Sequence, residues 1–223
     1  MAERVDTQAL LRLATWMSPA FPVGAFSYSS GLEQAVHDAL VTDATELRAW
    51  LETVICHGFG WNDAVLLAEG YRAVGDSARL AAAAELAEAL AGSRERQAET
   101  MLQGQAFLTA ARSWPHPVLD AIGDGLAYPV AVGVVAAAHQ TGLEPALAAY
   151  LNATVSNAVS VAIRCSVTGQ RDGLSVVAAL EPIIAETAAK AACASLDDLG
   201  SATIMADISA LKHETLHSRL FRS

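Results

Sequence analysis

Charged residues, aromatic residues and cysteines are all scarce in this chain. Of its 223 residues, 17% are charged and 6% are aromatic. The three cysteines, Cys56, Cys165 and Cys193, lie far apart, leave at least one thiol unpaired and form no C-x-x-C motif. This usage does not fit the disulfide framework of a small secreted protein. It is typical of a protein in the reducing cytosol, so we expect a cytoplasmic location.

Positive charge is also in short supply. Lysine and arginine together number 14 against 24 aspartates and glutamates, which gives a formal net charge of −10. No cluster of basic residues offsets this locally, so a nucleic-acid backbone would be repelled and we expect no nucleic-acid binding. A chain of this length can bury a large core without disulfides or metal, and we expect a single domain over residues 1–223.

The chain lacks the marks of a targeting or membrane segment. Residues 1–6 carry charges and no apolar run, so no signal peptide is expected. Residues 125–143 and 145–163 are free of charge and long enough to span a membrane. Because they contain Pro129, His139 and several asparagines and serines, we expect them to be buried in protein rather than in lipid.

No strand pattern is visible, because apolar and polar residues do not alternate over any sustained stretch. Apolar residues recur instead at helical spacing, as in Leu47 and Leu51 behind a capping-box pattern at Asp43 and Glu46. The sequence therefore predicts an all-α, single-domain bundle of roughly eight to ten helices. Ser77 is expected to cap one of them.

Two predictions concern the second half of this bundle. The helix over residues 130–138 is rich in alanine, valine and glycine, and small residues allow helices to approach closely. We expect this helix at the centre of the bundle, although a helix covered by a partner subunit is an equally open alternative. Residues 169–173 are predicted to form a polar turn before a last long apolar helix over residues 174–194.

Most catalytic motifs are missing. The sequence has no G-x-x-x-x-G-K-[ST] phosphate loop and no G-x-S-x-G nucleophile elbow. Cys56 and His57 are neighbours, but neighbours on a helix point in different directions and do not form a chelate. Four single histidines are best interpreted as structural: His37, His57, His116 and His139.

One motif does carry a possible chemistry. Residues 213–217 read H-E-x-x-H, which on a helix would place two imidazoles on one face, as zinc hydrolases require. Only six residues follow, and none of them is a histidine or a carboxylate that could complete the zinc site. A zinc hydrolase therefore stays a remote alternative, and a weak, transient metal contact through His213 and His217 stays open. The residues favour a helical binding module without an active site.

Residues 18–33, here called the opening loop, combine turn residues with exposed rings. The segment reads S-P-A-F-P-V-G-A-F-S-Y-S-S-G-L-E. Prolines and glycines fix an irregular backbone, and the loop either packs on its own core or forms a recognition surface. In an extended backbone Phe26 and Tyr28 would point to one side, and Ser27 and Ser29 to the other.

Five segments carry a resemblance to a known family. They are the opening loop, residues 93–104, residues 128–133, residues 150–170 and residues 213–223. In these segments the chain resembles the urease accessory protein F family, and the opening loop and the final segment are the most specific because helical patterning would generate neither.

The resemblance implies an all-α, non-enzymatic assembly factor for nickel urease. Such a protein dimerises, binds a companion accessory protein called D or H, and docks the nickel-carrying GTPase, accessory protein G, and the apo-urease. Nickel is then handled by the assembled complex, and no cofactor is expected to bind this chain stably. An alternative role is the activation of GTP hydrolysis by protein G.

Partner contacts are predicted in three places. In the opening loop we expect Phe26, Ser27, Tyr28 and Glu33 to contact protein G. The tail, residues 212–223, is expected to become ordered only against protein D/H, since terminal residues usually fray unless a partner fixes them. Its predicted contacts are His213, Glu214, Arg219 as a hydrogen-bond donor, and Leu220 and Phe221 as buried anchors.

The third place is the turn near Arg164 and Gln170. Arg164 would be an arginine finger or a docking residue, and the sequence does not distinguish the two.

Overall fold

Helices account for all the regular secondary structure in residues 6–223, the part of the chain that this computed structural model describes. No strand occurs in that part, which confirms the all-α prediction. Residues 1–5, which bear on the absence of a signal peptide, lie outside it. Residues 6–223 contain eleven α-helices, of which α2 and α7 are short. They are α1 Thr7–Trp16, α2 Leu32–His37, α3 Ala44–His57, α4 Phe59–Arg72, α5 Ser77–Ala89, α6 Arg94–Ala111, α7 Pro117–Ala121, α8 Tyr128–Ala138, α9 Leu143–Arg164, α10 Gln170–Cys193 and α11 Ile204–His213.

Short polar side chains begin several of these helices. At α3, the Asp43 carboxylate accepts hydrogen bonds from the backbone N–H groups of Thr45 and Glu46 (2.7 and 2.9 Å). The Glu46 carboxylate accepts from the N–H of Thr42 (2.8 Å), one residue before the position that a capping box requires. Asp76 caps α5, so the prediction of Ser77 is wrong by one residue.

Helix α8 lies at the centre of the core, as its composition predicts. Nine of its eleven residues are buried. At Gly133 a β-carbon would lie 2.1 Å from the carbonyl oxygen of Leu67 on α4, so only glycine fits where the two helices cross. The small residues of α8 thus serve an intramolecular contact.

Helices α9 and α10 pack along each other and complete the core. Helix α9 is the one helix in residues 6–223 that is long and apolar enough to cross a membrane. Its residues Leu147, Leu151 and Val155 are fully buried in the bundle. Helix α10 begins at Gln170, so the prediction of a turn over residues 169–173 is wrong. Gly173 instead packs on α9, where a β-carbon would lie 2.8 Å from Val159 Cγ1.

Helix α11 brings the end of the chain back to its beginning. It packs against the start of α2 at Gly31, which has a φ of +84°. A β-carbon on Gly31 would lie 2.7 Å from the backbone nitrogen of Ala210. Both the positive φ and the close approach require glycine. Residues 214–223 then run across the opening loop, and the candidate site lies where they meet.

Candidate functional site: the surface formed by the opening loop and the tail

The opening loop divides its aromatic rings between the core and the solvent. Phe21 is buried, with its ring centroid 5.4 Å from that of Phe107. Tyr28 is also buried, whereas 47% of Phe26 is exposed. The prediction that Phe26 and Tyr28 point to one side is wrong, because residues 25–27 form a 3₁₀ turn after Gly24 (φ 76°) rather than an extended strand.

The tail is ordered by contacts within the chain. Arg222 N–H donates to the carbonyl of Ser27 (2.8 Å), and Ser29 N–H donates to the carbonyl of Ser223 (2.9 Å). The Ser223 hydroxyl donates to Glu99 (2.6 Å), and only 3% of Phe221 is exposed. The opening loop thus supplies hydrogen bonds and an apolar pocket for the tail within the chain itself. That a partner orders the tail stays a prediction.

Two glutamates, Glu33 and Glu95, bind the tail. The Glu33 carboxylate accepts the backbone N–H groups of Leu220 (2.7 Å) and Phe221 (3.0 Å). His213, which is completely buried, contacts Glu33 through Nε2 (3.1 Å) and Glu95 through Nδ1 (2.7 Å). Glu95 also accepts a hydrogen bond from Arg219.

Four of the predicted contact residues are internal in the isolated chain. Tyr28, Glu33, His213 and Phe221 are buried and support the surface from inside, and contact of these four with a partner stays a prediction. The sequence alone leaves them looking exposed, because it does not show that the loop and the tail cover one another.

The H-E-x-x-H motif does not form a metal site. Helix α11 ends at His213, and His217 lies exposed in the irregular segment that follows. The two imidazoles therefore do not share a helix face, and the Glu214 carboxylate accepts the N–H of Arg94 at the start of α6 (2.8 Å). Within residues 6–223 no group of three histidine, cysteine or carboxylate side chains is placed to hold a metal ion.

Arg164 joins the opening loop to the tail. Its guanidinium donates to the carbonyl of Phe26 (2.6 Å) and lies over the ring of Phe221, 4.1 Å from the ring centroid. Gln170 is exposed six residues farther on, at the start of α10. One arginine at the end of α9 thus contacts two segments that are separated by most of the chain.

The exposed residues around this junction form one continuous region, here called the loop–tail surface. It combines two apolar side chains, one of them Leu220 at 61% exposure, with three arginines on a chain of net charge −10. Such a surface suits a partner that offers acidic groups around an apolar patch. Its members are Phe26, Ser27, Arg164, Arg219, Leu220 and Arg222.

Comparison with known proteins gives a consistent result. The sequence model of the family described as UreF matches residues 41–181. The urease accessory protein UreF of Sinorhizobium medicae (strain WSM419) is 68% identical over 223 residues, all of both chains. That of Rhizobium meliloti (strain 1021) is 69% identical over the same span, and urease accessory protein UreF 1 of Brucella suis biovar 1 is 60% identical over 97% of this chain and 95% of its own.

The chain belongs to the UreF family. The family is one of urease accessory proteins, so this UreF chain is an accessory factor and not an enzyme itself. The resemblance that the five sequence segments carry is thereby confirmed. The opening loop and the tail lie outside residues 41–181, but both lie within the full-length match to the UreF relatives.

This UreF chain also has a small cavity, lined in part by Ser29 and Ser30 of the opening loop, that sequence reasoning missed. Arg96 is bound to Glu99 (2.6 Å) and donates to the Ser30 hydroxyl (2.9 Å), and Tyr150 donates to Asp63 (2.9 Å). Burial raises the pKa of Asp63 to about 6, although Arg96 opposes the shift. Opposite charges three residues apart on helix α6 were the available signal.

A second exposed feature of this UreF chain is an apolar stripe on α11. Ile204 is 70% exposed and Leu211 is 52% exposed, although α11 is packed against α2 on its other side. Exposed apolar side chains that adjoin one another mark interaction sites in soluble proteins. The stripe, here called the α11 stripe, consists of Ile204, Met205, Ile208 and Leu211.

Proposed function

We propose that this chain is a cytoplasmic scaffold for the nickel-dependent maturation of urease. It joins the companion protein D/H, the GTPase protein G and the apo-urease, and the assembled complex handles the nickel. Membership of the UreF family supports this role. The observation that carries the proposal is the loop–tail surface, because it displays apolar and cationic side chains together on an acidic chain.

The packing of the opening loop on the tail supports a revised assignment of the partners. Because the two segments form one surface, we assign a single partner to both of them. The α11 stripe is almost purely apolar, which suits a long-lived interface. The loop–tail surface is mixed and charged, which suits a transient one. We therefore assign the α11 stripe to protein D/H and the loop–tail surface to protein G.

Binding in two stages tests this assignment. In the first stage, immobilised protein D/H captures the chain. In the second stage, the captured complex is exposed to protein G. Ile208→Asp should abolish the first stage, because it places a charge in the apolar interface. Leu220→Ala and Arg222→Ala should leave the first stage intact and weaken the second by tenfold or more.

The controls change exposed residues outside the two surfaces. Thr215→Ala in the tail and Arg48→Ala on α3 should bind both partners normally. Loss of the first stage in Leu220→Ala, or unchanged capture of protein G by both loop–tail variants, would contradict the assignment.

The second candidate function is the activation of GTP hydrolysis. An arginine finger accelerates hydrolysis about 10³-fold or more. Arg164, Arg219 and Arg222 are all exposed, but the guanidinium groups of Arg164 and Arg219 already donate hydrogen bonds within the chain. Arg222 is therefore the candidate finger. Single-turnover GTP hydrolysis by protein G should change less than threefold between complexes of the wild-type chain and Arg222→Lys if the chain is a scaffold. A loss of about 10³-fold would establish the finger.

We further propose that the chain forms a homodimer and binds no nickel stably on its own. The outer face of α10 carries Leu174, which is 60% exposed, and is a surface on which a second copy would fit. Sedimentation velocity of the wild-type chain and Leu174→Glu tests the dimer. Isothermal titration with Ni²⁺ tests the second statement, and a micromolar or tighter site on the isolated chain would contradict it.

A further inference from the structure

His213 occupies the point where three elements and the tail meet. It is the last residue of α11, and its ring is completely buried between Glu33 of α2 and Glu95 of α6. The distances are 3.1 Å from Nε2 to Glu33 and 2.7 Å from Nδ1 to Glu95. Both ring nitrogens therefore face a carboxylate oxygen at hydrogen-bond distance.

With both glutamates ionised, this geometry is best satisfied by two protons on the ring. An ionised carboxylate is an acceptor only, and a neutral imidazole has one N–H donor and one lone pair. A neutral His213 would therefore direct a lone pair at one of the two carboxylates. The imidazolium form donates to both, and such charge-assisted hydrogen bonds are about twice as strong as neutral ones.

The same two carboxylates fix the tail. Glu33 accepts the N–H groups of Leu220 and Phe221, and Glu95 accepts from Arg219. Any change that weakens the hydrogen bonds within the cluster formed by His213, Glu33 and Glu95 therefore also weakens the binding of the tail. By contrast, the body of α11 is fixed to the start of α2 by the close packing of Ala210 on Gly31, which does not depend on this cluster.

The charge balance around the cluster depends on whether His213 carries its second proton. Glu99 adds a third carboxylate on α6, where it accepts from Ser223 and from Arg96. Burial raises the pKa of the nearby Cys165 thiol to about 11, so this group stays neutral. If His213 is neutral, the three carboxylates have two cationic partners, Arg96 and Arg219. A charged His213 is the third. The other charged groups around the cluster are Arg164, Asp63 and the surface pairs Lys212–Asp38 and Arg94–Glu214.

We propose that His213 is a proton-operated latch for the tail. With the imidazolium present, three positive and three negative charges balance and the tail stays docked. When the proton is lost at alkaline pH, a carboxylate in the cluster loses its partner, and the tail leaves the opening loop. Release exposes Phe221 and dismantles the loop–tail surface. This device goes beyond the scaffold role and acts in the isolated chain.

The direction with pH follows from linkage. The docked state binds one proton more than the released state, so docking is strongest where the imidazole is protonated and declines as the pH rises. One linked proton changes the docking equilibrium by at most about tenfold for each pH unit. Asp63, whose pKa burial raises to about 6, also titrates at the lower end of this pH range. It titrates in the wild-type chain and in the variants alike, so the comparison between them removes its contribution.

Hydrogen–deuterium exchange of the isolated chain measures the latch. The observable is the protection factor of a peptide covering residues 219–223, whose amides at Leu220, Phe221 and Arg222 donate to Glu33 and Ser27. After correction for the intrinsic pH dependence of exchange, protection should fall at least tenfold between pH 6 and pH 9. Amides of the central helix α8 serve as the internal reference and should not change.

Two variants separate the latch from general destabilisation. In Glu95→Gln, the side-chain amide donates to a neutral ring and its oxygen still accepts from Arg219, so the tail should stay docked at pH 9. In His213→Gln, no proton is exchanged, so protection should be lower than in the wild-type chain at pH 6 and should not vary with pH.

Three results would overturn the proposal. They are constant wild-type protection, within twofold, from pH 6 to pH 9; a fall in Glu95→Gln as large as that of the wild-type chain; or a pH-dependent fall retained in His213→Gln. If His213→Gln does not fold, the comparison of Glu95→Gln with the wild-type chain decides the question alone.

Discussion

The guanidinium of Arg164 stacks on the ring of Phe221, 4.1 Å from the ring centroid. The same guanidinium donates to the carbonyl of Phe26 at 2.6 Å. A single side chain therefore couples the opening loop to the tail, and the exposed Phe26 owes its position to a residue at the end of α9. This coupling gives the first prediction.

Arg164→Ala should loosen the loop–tail surface without unfolding the protein. A cation–π contact at an exposed site is worth about 0.5–1 kcal/mol, so the free energy of unfolding should change little. Hydrogen–deuterium exchange at residues 26–29 and 221–223 should nevertheless increase. Arg164→Lys is the matched control, because it keeps the charge and loses the planar group, and it should show an intermediate effect. Equal exchange in all three proteins would show that Arg164 does not couple the segments.

The adjacent residues Leu220 and Phe221 separate folding from binding. Phe221 is 3% exposed and Leu220 is 61% exposed. Phe221→Ala should lower the free energy of unfolding by about 3 kcal/mol, because it leaves a cavity in the core. Leu220→Ala should change it by no more than about 0.5 kcal/mol. Urea denaturation followed by circular dichroism measures both, and equal effects would mean that the tail does not pack as described.

Gly133 should be intolerant of any side chain. A β-carbon there would lie 2.1 Å from the carbonyl oxygen of Leu67, so Gly133→Ala forces α4 and α8 apart at the centre of the core. We expect a loss of about 3 kcal/mol or more in the free energy of unfolding, or no soluble protein. Gly92→Ala is the matched control, because no atom lies within 4 Å of the place that its β-carbon would occupy, and its effect should be small. A melting temperature for Gly133→Ala equal to the wild-type value would refute the close crossing.

Asp63 should make the stability of the protein depend on pH. Burial raises its pKa from the ordinary 3.8 to about 6, so the folded state favours the protonated form. The stability contribution of this group is fully present below pH 3.8 and is lost as the pH rises through 6, by about 3 kcal/mol in total. Asp63→Asn removes this loss and retains an acceptor for Tyr150.

The measurement for Asp63 is a difference between two proteins. The free energy of unfolding of Asp63→Asn minus that of the wild-type chain should rise by about 2–3 kcal/mol between pH 4 and pH 7. The other carboxylates titrate in both proteins and cancel. A difference that is independent of pH would show that Arg96 fully compensates the buried charge.

The sequence predicts the helical class and the central position of α8 because both depend on composition and periodicity along a continuous segment. It does not predict that α10 begins at Gln170, because the packing of Gly173 on Val159 of α9 is a contact between helices that the local sequence does not show. Local patterns determine what a segment is, whereas the ends of helices depend on distant neighbours.

The sequence predicts the parts of the candidate site and not their arrangement. Phe26, Arg164 and Leu220 are predicted contact residues and lie together on the surface. Glu33 and His213 are predicted contacts as well, but they are internal. A carboxylate is buried only with hydrogen-bond partners, and the partners of Glu33 come from the far end of the chain, where local sequence patterns do not reveal them. The cavity around Arg96 is not predicted, because the sequence does not show that polar residues of a helix and of a loop line the same cavity.

The pairing of Ser29 with Ser223 has a consequence for the synthesis of the chain. The two residues are 194 positions apart in sequence. At translation rates of roughly 5–20 residues per second, Ser29 is synthesised about 10–40 s before Ser223. A nascent chain can therefore fold its core while it still has no completed docking surface. A partner that recognises this surface would therefore not bind a chain whose synthesis has not yet reached Ser223.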